Sequence, residues 1–205
     1  MLNKVNDLVI RGKAKLITGA VAEALDCGCA SEDFLATMIA GMDIVGERFK
    51  NGEIFVPEML IAAKAMKKGV EVLKPHLATG AAGALGKVVI GTVAGDLHDI
   101  GKNLVDMMIE YAGFEVIDLG VDVPVEKFVA AAAEEGVKIV ACSALLTTTM
   151  PALEATVAAL RASGKGYKIM VGGAPINQAF ADKIGADAYT PDAATAARKA
   201  RELVS

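Results

Sequence analysis

Two histidines occur in the chain, and one of them stands where chemistry is possible, in the run Gly95-Asp96-Leu97-His98-Asp99-Ile100-Gly101-Lys102-Asn103. A glycine-rich turn between a strand and a helix can cradle phosphate on free backbone N–H groups. The usual dinucleotide glycine spacing is absent, which argues against that use. An imidazole stands there instead, two residues after a carboxylate. A lone histidine is more often structural than a ligand, but this one follows an apolar strand, at the end where open parallel sheets place their ligands.

Two further segments have polar or small residues after an apolar run. Ser143-Ala144-Leu145-Leu146-Thr147-Thr148-Thr149-Met150-Pro151 brings several hydroxyls to the end of a strand, and Gly172-Gly173-Ala174-Pro175 ends another. Taken alone, the threonines read as turn and cap residues and the glycines as a turn. Cys27 and Cys29 form a C-x-C pair, with Cys142 distant. The pair reads either as half a metal site, for which no second pair exists, or as small residues at a helix end. His76 has no obvious partner and reads as a solvated surface residue.

The elements that must position these residues fall into two halves. Residues 1–76 have helical periodicity. Leu35, Met38, Ile39, Met42, Val45 and Phe49 recur on one helical face, with Ser31 available as a cap, although Phe34 stands where a capping box needs Glu or Gln. Asn51-Gly52 breaks this helix. Pro57 suits the first turn of the next, which carries Met59, Ala62, Ala63, Met66, Val70 and Leu73. Two shorter helices precede them, near 4–10 and 12–26. Four helices with short connections predict a small antiparallel bundle.

Residues 77–86 are uncharged and glycine-rich, and read as a flexible linker. From 87 to 205 the period changes. Short β-branched runs at Lys87–Val93, Glu115–Leu119, Lys138–Ala141, Tyr167–Val171 and Ala186–Tyr189 alternate with helical segments. That series predicts a parallel, doubly wound α/β sheet, and five strands favour the flavodoxin-like (Rossmann-type) order. In that order the first, third and fourth strands end side by side, so the three segments above would share one slot.

Composition sets the outer limits. With 205 residues and 54% hydrophobic content, the chain can bury a sizeable core. Aromatics are 4% and tryptophan is absent, so that core is aliphatic. The net charge of −4 disfavours a nucleic-acid partner. No apolar stretch reaches membrane-spanning length, no signal-peptide pattern opens the chain, and the odd cysteine count fits a reducing cytoplasm.

Asp96-x-His98-x-x-Gly101, followed by Ser143-x-Leu145 and Gly172-Gly173, resembles the cobalamin-binding signature. Methionine synthase, the corrinoid proteins of methyl-transfer systems and the B12-dependent mutases share it. The helical half resembles the cap domain of the methyl-transfer branch, through Gly41-Met42-Asp43-Ile44-Val45-Gly46-Glu47-Arg48-Phe49 and Gly52-Glu53-Ile54-Phe55-Val56-Pro57-Glu58. The resemblance spans nearly the whole chain and is nearest to a stand-alone methyltransferase cognate corrinoid protein of anaerobic one-carbon metabolism.

The resemblance implies a cobalamin or related corrinoid, cycling between methylcobamide and cob(I)amide and bound base-off with histidine on. It implies His98 as the axial ligand of cobalt, with Asp96 and Thr149 forming a ligand relay; a carboxylate that gains or loses a proton would tune the imidazole. Gly95, Leu97, Asp99, Ile100 and Gly101 belong to the same binding loop. Gly172 and Gly173 would leave room for the cofactor's nucleotide tail, lined by Ser143, Leu145 and Thr147, with Ala193 near its end. Phe49 and Val56 would cover the upper face at rest, and the linker would let that cover swing aside.

The implied partners are a substrate-specific methyltransferase, a second methyltransferase acting toward tetrahydrofolate or a thiol coenzyme, and a reductive activase. The family's methyl donors include methanol, methylamines, quaternary amines and aryl methyl ethers. An adenosylcobalamin mutase subunit and a B12-sensing regulator share the signature. The cap-like helices disfavour the first, and the acidic charge disfavours the second.

Overall fold

The computed structural model of the chain describes residues 1–28, 30–76 and 85–205. Cys29 and most of the expected linker, 77–84, lie outside the described residues. The chain divides into two compact units, one comprising Met1–Ala84 with Tyr111–Gly113 and the other Leu85–Glu110 with Phe114–Ser205.

In the first unit, α1 (Leu2–Ile10), α2 (Ala14–Asp26), α3 (Ser31–Lys50) and α4 (Val56–Leu73) form the bundle. α1 packs on α3, α2 on α4, and α3 on α4. The buried face of α3 is Phe34, Met38, Met42 and Val45, whereas Leu35, Ile39 and Phe49 are half-buried. The expected face is thus rotated by part of a turn: Phe34, the residue that spoils a capping box, is the first core residue of the helix. Ser31 is not the cap either. Ala30 holds the N-cap position, and the Ser31 hydroxyl donates to the His76 carbonyl at 2.9 Å. Gly69 lets α4 approach α3 closely, because a Cβ there would meet the sulfur of Met38. Asn51 and Gly52 end α3 as expected, Gly52 at φ +73°.

The second unit contains β1 (Lys87–Thr92), β2 (Glu115–Asp118), β3 (Val137–Ser143), β4 (Lys168–Gly172) and β5 (Ala188–Tyr189), with α5 (Ile100–Tyr111), α6 (Val125–Ala132), α7 (Met150–Ala162), α8 (Gln178–Ile184) and α9 (Ala193–Val204) between and after them. All the strands pair in parallel in the order β2-β1-β3-β4-β5, the flavodoxin-like order. Because parallel strands are covered on both faces, β1 is buried from Val88 to Thr92 and β3 from Ile139 to Cys142. On one face Val89, Val140, Cys142, Ile169 and Val171 pack with Phe128 of α6 and with Leu153, Val157 and Leu160 of α7. Gly91 belongs to that face and makes room for the Phe128 ring. Thr92, the next residue, points the opposite way by the alternation of a strand. β1 and β3 are neighbours whose following helices leave in different directions, so the crevice opens between their carboxyl ends.

Candidate functional site

β1 ends at Thr92, and the chain turns through Gly95, at φ +80°, before α5 begins at Ile100. Asp96 lies in this turn with 0% of its surface exposed. A buried carboxylate is tolerable only when its oxygens are satisfied, and here four donors meet them. One oxygen accepts the His98 backbone N–H at 3.1 Å and pairs with the His98 Nδ1 at 2.7 Å. The other accepts the Leu145 N–H and the Thr149 hydroxyl, each at 2.7 Å. Burial alone would raise the Asp96 pKa. The Leu145 N–H, the Thr149 hydroxyl and the two His98 groups outweigh it and hold the carboxyl well below the ordinary carboxylate range. Asp96 is therefore a standing anion, and the loops after β1 and β3 are joined through it.

That anion fixes the histidine. A carboxylate can only accept, so Nδ1 carries the proton and the lone pair lies on Nε2. The His98 side chain is 48% exposed, which leaves Nε2 a path outward. The backbone is held as well: the buried Thr92 hydroxyl donates to the His98 carbonyl at 2.9 Å and lies 2.9 Å from the Ser143 hydroxyl.

The loops after β1 and β3 expose large apolar side chains. Leu97 is 73% and Ile100 77% exposed, and Leu145 and Leu146 are also exposed. A Cβ added at Gly101 would meet nothing within 4 Å. Among the described residues no group of three or more His, Cys, Asp or Glu side chains could hold a bare metal ion. A single outward imidazole on an apolar surface suits a metal whose other positions are already filled by a flat macrocycle. The residues present therefore fit a corrinoid.

The other expected site residues are distributed as follows. Thr147–Thr149 make a single 3-10 turn in which Thr147 and Thr148 are exposed and Thr149 is buried on Asp96. Ser143 ends β3 beside Thr92, and Leu145 follows with its N–H on Asp96. Asp99 precedes α5, and its side chain accepts from Asn103 at 3.3 Å. Gly172 ends β4, where a Cβ would press on the Thr190 carbonyl. Gly173, at φ +126°, has a reason of its own to be glycine: a Cβ there would collide with the Ala144 carbonyl oxygen. Ala193 is buried at the start of α9, past the edge strand β5. Phe49 and Val56 belong to the helical unit, at the end of α3 and the start of α4, and both are half-buried.

Two positions escaped the sequence reading. Thr92 is hidden in the run Val-Val-Ile-Gly-Thr as an ordinary β-branched strand residue. Asp122, at φ +51°, accepts the Gly95 N–H on its side chain at 2.7 Å and donates its own N–H to the Asp96 carbonyl at 2.9 Å. The one available signal was an aspartate in a Gly-Val-Asp turn, a residue type that tolerates the left-handed region.

The chain matches a family model described as a B12 binding domain over residues 86–200, and a second so described over residues 1–74. Fold and family models together define a B12-binding protein. The dimethylamine corrinoid protein 1 of Methanosarcina acetivorans is 42% identical over 208 residues, covering 100% of this chain and 98% of its own. The crystal structure of a novel cobalamin-binding protein from Desulfitobacterium hafniense superposes with a TM-score of 0.87 at 33% identity, covering 100% of this chain and 99% of that one. A chain of the methanol:cobalamin methyltransferase complex from Methanosarcina barkeri gives 0.83 at 30% identity, covering 98% of this chain and 78% of that one. The chain therefore belongs to the methyltransferase cognate corrinoid proteins, whose role is methyl carriage.

Proposed function

We propose that the chain accepts a methyl group from a substrate-specific methyltransferase and delivers it to a second methyltransferase, which passes it to tetrahydrofolate or a thiol coenzyme. The observation that carries this reading is the half-exposed His98 imidazole, whose Nδ1 lies 2.7 Å from an oxygen of the fully buried Asp96 carboxyl. Bound there, a corrinoid supplies a cobalt that takes up a methyl group and gives it up again. His98 would be its lower ligand, in place of the cofactor's own base. Asp96 keeps the imidazole in the ligating tautomer and strengthens it as a donor, and Thr149 keeps Asp96 in place. Leu97, Ile100 and Leu145 form the apolar surface beside the ligand. Ser143, Thr147, Gly172, Gly173 and Ala193 would line the nucleotide tail, and Phe49 and Val56 would shield the reactive face. A reductive activase is the third partner this chemistry requires. For the donor we infer a methylated amine, because the dimethylamine corrinoid proteins match this chain over its full length.

The test is electron paramagnetic resonance of the protein loaded with a cobalt(II) corrinoid. Wild type should show hyperfine splitting from an imidazole nitrogen, and His98→Ala should lose it. Retention of that splitting in His98→Ala would sink the assignment.

A further inference from the structure

Thr92 is 1% exposed, at the last position of the interior strand β1. A hydroxyl buried there costs more than the isosteric valine unless it is satisfied. Its backbone is already committed: the N–H donates to the Gly120 carbonyl at 3.0 Å, and the carbonyl accepts from Val123 at 3.0 Å. The side chain is therefore free for other partners, and it has two. Its single proton goes to the His98 carbonyl at 2.9 Å. The Ser143 hydroxyl, its register partner on β3, lies 2.9 Å away and must then be the donor to Thr92. The result is a directed chain from Ser143 to Thr92 to His98. It begins at a half-buried residue on the slot side of β3 and ends on the backbone of the histidine.

We propose that Thr92 is a positioning residue for the His98 imidazole, acting through this hydroxyl chain, so that Ser143 and His98 are mechanically coupled. The proposal rests on the ligand role of His98 given above. Asp96 fixes the ring from the Nδ1 side, which sets the tautomer. Thr92 fixes the peptide that carries the ring, which sets where Nε2 points. Aligned hydrogen bonds in a low-dielectric interior polarise one another, so the chain acts as a unit. Whatever engages the Ser143 hydroxyl from the slot, including a nucleotide tail, changes the donor that Thr92 receives and thereby the hold on His98.

The test uses Thr92→Val, Thr92→Ser, Ser143→Ala and the Thr92→Val/Ser143→Ala double variant of the full chain. Amide hydrogen exchange is measured on the apoprotein, and paramagnetic resonance on the protein loaded with a cobalt(II) corrinoid. Thr92→Val should lower the ratio of imidazole-ligated to unligated cobalt by roughly fivefold, the weight of one ordinary hydrogen bond, and should speed exchange of the His98 N–H, which Asp96 holds, as the loop loosens. Thr92→Ser should restore both. In the apoprotein, Ser143→Ala should have a smaller effect on exchange alone and none in the Thr92→Val background, where the chain is already cut. Wild-type values in Thr92→Val, or equal losses in Thr92→Val and Thr92→Ser, overturn the proposal. If wild type itself shows no imidazole nitrogen, the ligand assignment fails instead, and the exchange measurements still decide whether Thr92 holds His98.

Discussion

Replacing Asp96 by asparagine keeps the size of the side chain but forces a choice. An amide has one accepting end and one donating end, whereas Asp96 meets donors on both sides: His98 on one, Leu145 and Thr149 on the other. If the amide oxygen faces His98, the NH2 group faces the Leu145 N–H, and a buried donor is orphaned at a cost of about 1–3 kcal/mol. Thr149 can adapt, because its hydroxyl already lies 2.9 Å from the Leu146 carbonyl. If the oxygen faces Leu145, the NH2 group meets Nδ1, the imidazole proton must move to Nε2, and the lone pair turns inward. Loss of a triad aspartate's charge acts on a serine protease through the same change of tautomer.

Either orientation also removes charge-assisted bonds, worth about 1.5–3 kcal/mol for bonds to charged groups. The apoprotein should lose roughly 2–4 kcal/mol in a denaturant titration. On the proposed role of His98 as cobalt ligand, weaker ligation would disfavour Co(II) relative to Co(I), so the Co(II)/Co(I) potential should rise. At roughly 43 mV per kcal/mol for one electron, the loss of one charge-assisted bond gives a rise of about 60–130 mV. Thr149→Ala removes one bond to the other carboxylate oxygen, the one that does not face His98, and should move the potential less, by about 40 mV. Redox titration of the three proteins in one buffer is the assay. A potential within a few millivolts of wild type in Asp96→Asn refutes the argument, and Asp96 then only joins the two loops.

Gly173→Ala should destabilise the apoprotein by roughly 3 kcal/mol, because a disfavoured φ adds to a collision with the Ala144 carbonyl. Gly164→Ala, at φ +67° in open space, should cost only about 1 kcal/mol by the same chemical denaturation. Half-burial raises the Asp106 pKa, as do Asp118 and Glu110, against the opposing pull of Lys102. A carboxyl whose pKa is raised by folding costs stability above its folded pKa, and the cost disappears as pH falls through the carboxylate range. Asp106→Asn should therefore stabilise the protein at neutral pH, by roughly 0.5 kcal/mol after screening, and the gain should vanish in acid; a gain that persists there contradicts the assignment. Full burial pushes the Cys142 thiol well above its ordinary value, so a thiol reagent should label exposed Cys27 in the native protein and Cys142 only on unfolding, as peptide mass mapping would show. Phe49→Ala should leave corrinoid binding intact and speed photolysis of the methylated protein; an unchanged rate assigns Phe49 to the bundle alone.

Much of the architecture was legible because it rests on local chemistry. The change from a 3.6-residue to a strand-and-helix period near residue 87 separates the helical from the α/β segment, and alternation of elements forces parallel strands. The spaced signature names Asp96, His98, Ser143, Leu145 and Gly172-Gly173, residues that lie at or just past the carboxyl ends of β1, β3 and β4. Boundaries were less legible: the expected α3 face missed Phe34, and Ser31 found the distant His76 carbonyl instead of a cap. A turn's worth of rotation changes which side chains a helix buries, and that is settled by its neighbours.

What only the tertiary structure decided is how the site is held. Asp96 meets the Leu145 N–H and the Thr149 hydroxyl only because β1 and β3 are adjacent, and the resulting cage of donors makes it an anion that dictates the histidine's tautomer. Thr92 reads in sequence as one more β-branched strand residue; its register with Ser143 and the return of the chain at His98 make it a hydroxyl relay. The sequence names residue types and their spacing, while hydrogen bonding is set by atoms brought within 3 Å of one another across gaps of many residues, and that proximity exists only once the sheet has closed.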